Sequence, residues 1–479
     1  MSAPAARNAN TSTNTVSPLR HRLIMGLVTG TLFMEILDGS VIVTALPAMA
    51  AAFGIAPVAL NLGVSAYLLA LGVFIPASGW LADRVGARRL LLPAIALFTF
   101  SSVLCAQVSS AHAFILLRIL QGLAGAMMVP VGRLLILQIT PRDQLMAAMT
   151  ALVWPALVAP VVGPPLGAFI TAHLGWRWIF YLNLPLGLLA LGLAWALVPP
   201  GRPADAVTRP FDLPGFLLCG GGMFGLLYGL EWVADDVSLA GALVLALGCV
   251  LLACAWRHLQ QSRAPLVDLS TLEIATFRTA IRGGLLCRMG IGSAPFLLPL
   301  LFQVGFGYDV IRSGWLVLCM FAGNLGMKAL SVQVLRRWGY RRAMLGNGLL
   351  AALALAGFGF LTPTTPLPIM VALLFVSGLT RSMQFTVLGT LAYADMPKPR
   401  MSHANSLFNT TGQLAMAGAI ALGALGLRLG AWLAPHLGWE GSAAAYPMAF
   451  GLAACVTLLG LVDALRLPPG AGDHFISRG

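Results

Sequence analysis

The sequence predicts an all-α polytopic membrane protein, two six-helix bundles plus two inserted helices, with about fourteen transmembrane helices. Three observations carry this expectation. Of 479 residues, 58% are hydrophobic and only 9% charged, with a mean hydropathy of +0.87, whereas a soluble domain carries about 25% charged residues. Apolar runs of roughly 20 residues, enough to cross a bilayer, recur from Leu23 to Leu467. The arginines gather in every second loop between those runs.

Taken in order, the first bundle holds six runs. Leu23 to Ala50 is apolar around two carboxylates, Glu35 and Asp38. Val58 to Ala82 is closed by the charged turn "DRVGARR", and Leu90 to Val108 follows it. Ala113 to Leu137 carries Arg118 and Arg133; Leu145 to Thr171 is broken by four prolines; Trp178 to Val198 completes the set. Pro214 to Val233 and Leu239 to Trp256 form a pair flanked by the proline-rich connectors "VPPGRPADAVTRPFDLPG" and "QQSRAPLVDLS". The last six are Ala275 to Val304, Ser313 to Leu335, Ala343 to Leu361, Leu367 to Tyr393, Ser402 to Ala431 and Ala443 to Arg466.

An even number of spans puts both termini on one side. With the N-terminus in the cytoplasm, the cytoplasmic loops hold Arg84, Arg88 and Arg89, then Arg142, Arg202 and Arg209, Arg257 and Arg263, Arg336, Arg337, Arg341 and Arg342, Lys398 and Arg400. Loops such as "GIAP" and "PTTP" on the other side have almost none, a positive-inside pattern. The net charge of +13 therefore reads as topology and contact with anionic membrane lipids, not as nucleic-acid binding. The first 22 residues are polar, which suits an uncleaved signal in the first span.

An internal repeat divides the chain. "DRVGARR" at Asp83 to Arg89 recurs as "RRWGYRR" at Arg336 to Arg342, each between the second and third spans of a six-span unit. Both copies keep one orientation, so the repeat is parallel. The expected boundaries are a cytoplasmic tail at 1–22, a bundle at 23–200, a linker with the inserted pair at 201–274, a second bundle at 275–467 and a cytoplasmic tail at 468–479. Arg336 stands opposite Asp83 in the repeat, so a charge switch at Asp83 has no duplicate and the halves should gate asymmetrically.

Enzyme chemistry is not expected, nor a cofactor or metal. There is no phosphate-binding P-loop, which argues against an ATP-driven pump. His173, His403 and His436 lack ligand spacing, and the seven cysteines sit in apolar runs as small hydrophobes.

Several motifs point to transport. In "GWLADRVGARR", Gly79 permits close helix approach, Gly86 allows the reversal, and Asp83 stands among Arg84, Arg88 and Arg89, where ion pairs could form in one state and break in another. Arg118 in "LRILQG" is a guanidinium inside an apolar span, costly unless it faces the bundle interior with a partner. "WPALVAPVVGPPLGAF" must be bent and closely packed. Arg288, Lys328 and Arg381 are lone cations in second-half spans; snorkelling to an interface accounts for such a residue, while facing a cavity would make the site electropositive.

These segments together resemble the major facilitator superfamily. "GWLADRVGARR" is similar to its signature loop, "LDGSVIVTALP" to the first-span motif of its fourteen-span drug:proton antiporters of EmrB/QacA type, "LRILQGLAGAMM" to their fourth-span arginine motif and "APVVGPPLGAF" to their antiporter motif. "PFLLPLLFQVGFGY" and "QVLRRWGYR" resemble segments of the MdtD-like multidrug transporters within that branch. The resemblance implies a proton-coupled exporter of amphipathic small molecules in the cell inner membrane, a dedicated exporter of a metabolite, organic anion or metal chelate being the alternative, and a non-transporting scaffold or sensor a further one. It implies proton coupling by Asp38 with Glu35 and Arg118, a cytoplasmic gate of Gly79, Asp83, Arg84, Gly86, Arg88 and Arg89, and an antiporter motif of Gly163, Pro164 and Gly167. Arg288, Arg381 and Gln121 are candidates for the substrate cavity. The partners expected are a small-molecule substrate, protons and lipids, with a monomer sufficient. The family pattern matches Asp38 and not Glu35, so whether Glu35 shares the proton or contacts substrate stays open. Ser40 and Thr44 stand where threonine and asparagine are usual.

Overall fold

A backbone in hydrocarbon must satisfy its own N–H and C=O groups, so each apolar run becomes a helix. The computed structural model describes residues 18–55, 57–141, 144, 148–149, 151–152, 154–199, 210–235 and 238–472. Among the described residues, twelve helices are long and apolar enough to cross a membrane. One of them, within Val310–Phe358, is two helices joined at Gly339. Trp154–His173, 20 residues long, is a further one, which makes fourteen.

In chain order these are α1 (Pro18–Phe53), α2 (Pro57–Val85), α3 (Ala87–Gln107), α4 (Ala111–Ile139), α5 (Trp154–His173), α6 (Trp178–Leu197), α7 (Leu213–Asp235), α8 (Leu239–Gln261), α9 (Ala275–Gly305), α10 (310–338), α11 (340–358), α12 (Leu367–Ala394), α13 (Met401–Leu433) and α14 (Tyr446–Leu465). The helical start expected at Leu145 and the side chains of Glu231 and Pro164 lie outside the described residues, as do Arg142, Arg202 and Arg209. Leu301–Gly305 ends α9 in a wider π turn.

The packing explains the insertion. α7 and α8 meet backbone to backbone: a Cβ on Gly225 would come within 2.7 Å of Gly248 Cα, the close approach that small residues allow in membranes. α7 lies on α2, with ring centroids 5.7 Å apart for Phe74 and Phe216 and 4.8 Å for Trp80 and Phe211. It also reaches α13, where Arg428 Nη2 donates to the Val233 carbonyl at 2.7 Å. α8 keeps an exposed apolar stripe of Leu239, Leu243, Leu247 and Val250.

The hydrophobic core is continuous at one end of the molecule and divided at the other. At the arginine-rich end, one cluster joins both halves, running from Ile24, Ile75, Leu91 and Leu134 to Phe277, Met344, Met383 and Leu407. Toward the opposite end the described core splits. One cluster, around Leu37, Phe114 and Phe180, is built from the first half alone. The other, around Phe302, Phe358 and Phe450, belongs to the second half alone. The two halves are thus sealed together at the arginine-rich end.

The repeat seen in the sequence has a matching backbone. Gly86 has φ 91° and ψ 146°, and Gly339 has φ 69° and ψ 169°; both lie in a region nearly restricted to glycine. Two residues on, Arg88 Nη2 donates to the Trp195 carbonyl in the last turn of α6 at 2.6 Å. Its counterpart Arg341 Nη2 donates to the Leu465 carbonyl at the end of α14 at 3.0 Å. Each copy thus reverses the chain on glycine and pins the turn to the final helix of its own half.

Gly86→Ala and Gly339→Ala should each destabilise the protein by about 1–3 kcal/mol, read as a lower thermal unfolding midpoint in detergent. Gly26→Ala, at an exposed helical site where a Cβ meets nothing within 4 Å, should leave the midpoint unchanged or raise it.

Candidate functional site

Four helices of the first half converge on Asp38. Arg118 of α4 donates from Nη1 to Asp38 Oδ2 at 2.6 Å, and the two side chains are 0% and 2% exposed. Gln121, one turn along α4, accepts from the same Nη1 at 2.7 Å and donates to Asp38 Oδ1 at 3.0 Å. Asn183 of α6 donates to Asp38 Oδ1 at 2.6 Å and to Ser102 Oγ of α3 at 3.0 Å. Ser102 in turn donates to the Phe180 carbonyl at 3.0 Å. Below the guanidinium, the Tyr67 ring of α2 lies 4.4 Å from the Arg118 central carbon.

This arrangement answers the cost of burying charge. An unpaired ion inside protein is strongly unfavourable, and a pair is tolerated only with good geometry and further hydrogen bonds. Asp38 accepts from three N–H donors, the pattern of an ionised carboxylate, which can only accept. Arg118 Nε and Nη2 have no hydrogen-bond partner among the described residues, so the cation relies on Asp38, Gln121 and the tyrosine face.

Glu35 has different surroundings from Asp38. Its Oε2 is buried without a hydrogen-bond partner, as is the Tyr67 hydroxyl. A Cβ on Gly125 would stand 3.4 Å from Tyr67 Oη and 3.5 Å from Glu35 Cδ. Gly125 thus leaves a small polar space in which both groups sit.

α5 grips α1 next to this network. A Cβ on Gly163 would run into Ser40, 2.7 Å from its Cβ, and one on Gly167 would come within 2.6 Å of the Val41 carbonyl oxygen and collide with Thr44. Ser40 Oγ donates to the Ala159 carbonyl at 3.2 Å and to Leu37 O at 3.0 Å. Ser40 and Thr44 are therefore packed against Gly163 and Gly167.

The seal between the halves is made by α13. Ser402 Oγ donates to the Gly79 carbonyl at 3.2 Å, Ser406 Oγ to the Pro76 carbonyl at 3.1 Å and Asn405 Nδ2 to the Pro130 carbonyl at 2.9 Å. Arg133 Nη1 of α4 donates to Asn409 Oδ1 at 2.5 Å. The approach at Gly79 is close, since a Cβ there would stand 3.2–3.3 Å from Ser402 and Ser406. Arg84 stacks over Trp80 at 5.0 Å, Asp83 is part-buried and engaged, and Arg89 is exposed.

The second-half cations divide. Lys328 does not snorkel: it is 5% exposed, and Nζ donates to Thr386 Oγ1 at 2.6 Å. Arg288 lies 4.2 Å over the Phe408 ring, and Arg381 lies 5.4 Å over Phe385 with Nε and Nη1 unpartnered. Gln121 requires a correction. It is fully buried and its amide is used by Asp38 and Arg118, so it belongs to the ion-pair network and does not line an accessible cavity.

Sequence reasoning missed Asn183, Ser102, Tyr67, Gly125 and the α13 donors. The α13 donors did leave a signal: polar residues at 402, 405, 406 and 409 in "MSHANSLFN" repeat at helical spacing on one face of an apolar span.

The comparisons with known proteins agree with this architecture. The family profile of the Major Facilitator Superfamily matches residues 28–420. This chain belongs to the Major Facilitator Superfamily. It is 35% identical over 441 residues to a protein carrying the multidrug-resistance name MdtD from Pectobacterium atrosepticum, covering 91% of this chain and 94% of that one. It is 39% identical over 411 residues to the MdtD of Cronobacter sakazakii, covering 84% of each. Among solved structures, the proton:xylose symporter XylE has the same fold at a TM-score of 0.65 and 14% identity, over 95% of this chain and 97% of that one. The human organic anion transporter MFSD10 aligns at a TM-score of 0.62 and 16% identity, over 93% and 99%. The chain is therefore a multi-pass membrane transporter of small molecules and not an enzyme.

Arg118→Gln should leave Asp38 buried without its cation and cost about 3–5 kcal/mol, measured as thermal unfolding in detergent. The double change Asp38→Asn with Arg118→Gln should recover part of that loss, because the two residues act as one unit.

Proposed function

We propose that this transporter is a proton-coupled antiporter of the bacterial inner membrane that exports amphipathic small molecules by alternating access. The observation that carries the reading is the Asp38 carboxylate, buried mid-span and held by N–H donors from α4 and α6. Protonation neutralises the carboxylate, so the charge-assisted bonds it accepts from the three N–H groups become ordinary, weaker ones. Proton arrival therefore loosens α1 from α4 and α6 at the level where α5 grips it.

The closed seam supports the direction. The positive-inside rule places the arginine-rich end in the cytoplasm, with both termini. In that orientation the core is continuous on the cytoplasmic side and divided toward the outside, a state in which Asp38 takes its proton from the outer side. Neutralising Asp38 weakens the Arg118 pair, the halves rock, the α13 hydrogen bonds to α2 and α4 part, and the proton leaves inward as substrate enters the cavity. The units that rock are 23–200 and 275–467, bridged by 201–274. Gly79, Asp83, Arg84, Gly86, Arg88 and Arg89 form the cytoplasmic gate, and Gly163, Pro164 and Gly167 keep the outer side tight. The relatives named for multidrug resistance support a drug-like, amphipathic substrate, and one chain holds every group this cycle uses.

Asp38→Asn should abolish pH-gradient-driven exchange in proteoliposomes while the protein still folds. Exchange at the wild-type rate in that variant would place coupling elsewhere.

A further inference from the structure

We infer that the polar head of the exported molecule is anionic, a carboxylate or sulfonate on an apolar body, bound at the seam between Arg288, Arg381 and Arg133. The inference rests on the transport reading above and names the substrate class of its cavity.

Guanidiniums from both halves converge there. Arg133 of α4 and Arg288 of α9 face one ring, Phe408 of α13, at 5.8 and 4.2 Å from its centroid. Their charges are thus at most about 10 Å apart, within the range over which like charges interact. Arg381 of α12 lies at a similar depth, since Gln384 Nε2, one turn away from it, donates to Cys287 Sγ beside Arg288 at 3.9 Å.

Among the described residues no carboxylate forms an ion pair with these cations. Among the described residues the ion pairs are Arg118 with Asp38, His258 with Asp212 and Arg400 with Glu273; none involves Arg133, Arg288 or Arg381. Glu35 lies within electrostatic reach of Arg133 but is not paired with it. Arg133 has Asn409 as a neutral partner. Among the described residues Arg288 has the Phe408 ring and lies within electrostatic reach of the Tyr393 hydroxyl, neither of them an anion, and Arg381 leaves Nε and Nη1 unused. Unpaired guanidiniums inside a membrane protein are costly and mark a ligand path, and their planar fork suits a carboxylate or sulfonate.

There is also room. Arg288, Arg381 and Phe408 each keep accessible surface. A Cβ on Gly412, one turn from Phe408 on α13, would meet only Arg288 Nη1, at 3.9 Å. The space beside the guanidinium is therefore not filled by protein, and Phe385 and Phe408 offer apolar walls for the rest of the molecule. A cationic head would instead face the Arg133 and Arg288 charges, with Arg381 at a similar depth, an arrangement that selects against it.

The test uses two probes of fixed and opposite charge on the same ring system, 2-naphthalenesulfonate and 2-naphthyltrimethylammonium. Their binding to the full-length purified protein in proteoliposomes is measured against protein-free vesicles. The wild type should bind the sulfonate in preference to the ammonium, and Arg288→Gln and Arg381→Gln should each weaken sulfonate binding at least tenfold, with Arg288→Lys recovering part of it. Preference for the ammonium, absence of sulfonate binding, or full affinity in both glutamine variants overturns the inference. Sulfonate binding should survive in Asp38→Asn, whose pH-driven exchange is lost. Exchange persisting there removes the coupling reading and leaves the anion site standing.

Discussion

The interaction on which the first half depends is one buried ion pair. A guanidinium and a carboxylate in a low-dielectric interior must each be held by specific partners, or the fold loses several kcal/mol. That requirement draws together α1, α3, α4 and α6 around Asp38 and Arg118, with the α2 tyrosine ring beneath. It also fixes the rotation of α1, so that Ser40 and Thr44 fall against the glycines of α5. An ion pair that organises packing in this way ties the helices of the cluster to one another, because none of them can ignore the loss of one charge.

The two halves share a scaffold and differ in chemistry. Both reverse on a positive-φ glycine and both pin that turn with an arginine to the end of their last helix. The first half adds paired carboxyl chemistry at mid-span. The second half instead carries Arg288, Arg381 and Lys328 with no carboxylate partner among the described residues, and it supplies the α13 face that closes the seam through serine and asparagine. Neutral donors of this kind hold the seam without burying a further charge there, so each carries only a modest desolvation cost.

Much of this was legible beforehand for a physical reason. Bilayer thickness dictates span length, so composition and spacing were enough for an all-helical membrane fold of about fourteen helices, while the family was legible only through the resemblance of short motifs such as "GWLADRVGARR". A buried arginine in hydrocarbon demands a partner, and the first span offered two carboxylates, Glu35 and Asp38, either of which could serve Arg118. What spacing along a single helix could not decide was which neighbour each side chain meets. Glu35 and Asp38 are one turn apart, yet one occupies a pocket made by Gly125 and Tyr67 and the other is held by Asn183, 145 residues away in sequence. Gln121 reads as a cavity residue until the fold places Asp38 against it. Fold class, topology and the presence of a charge pair thus follow from the sequence, because they answer to the membrane as solvent. The division of labour among the buried polar groups follows only from tertiary packing, because it depends on helices distant in the chain meeting at one depth.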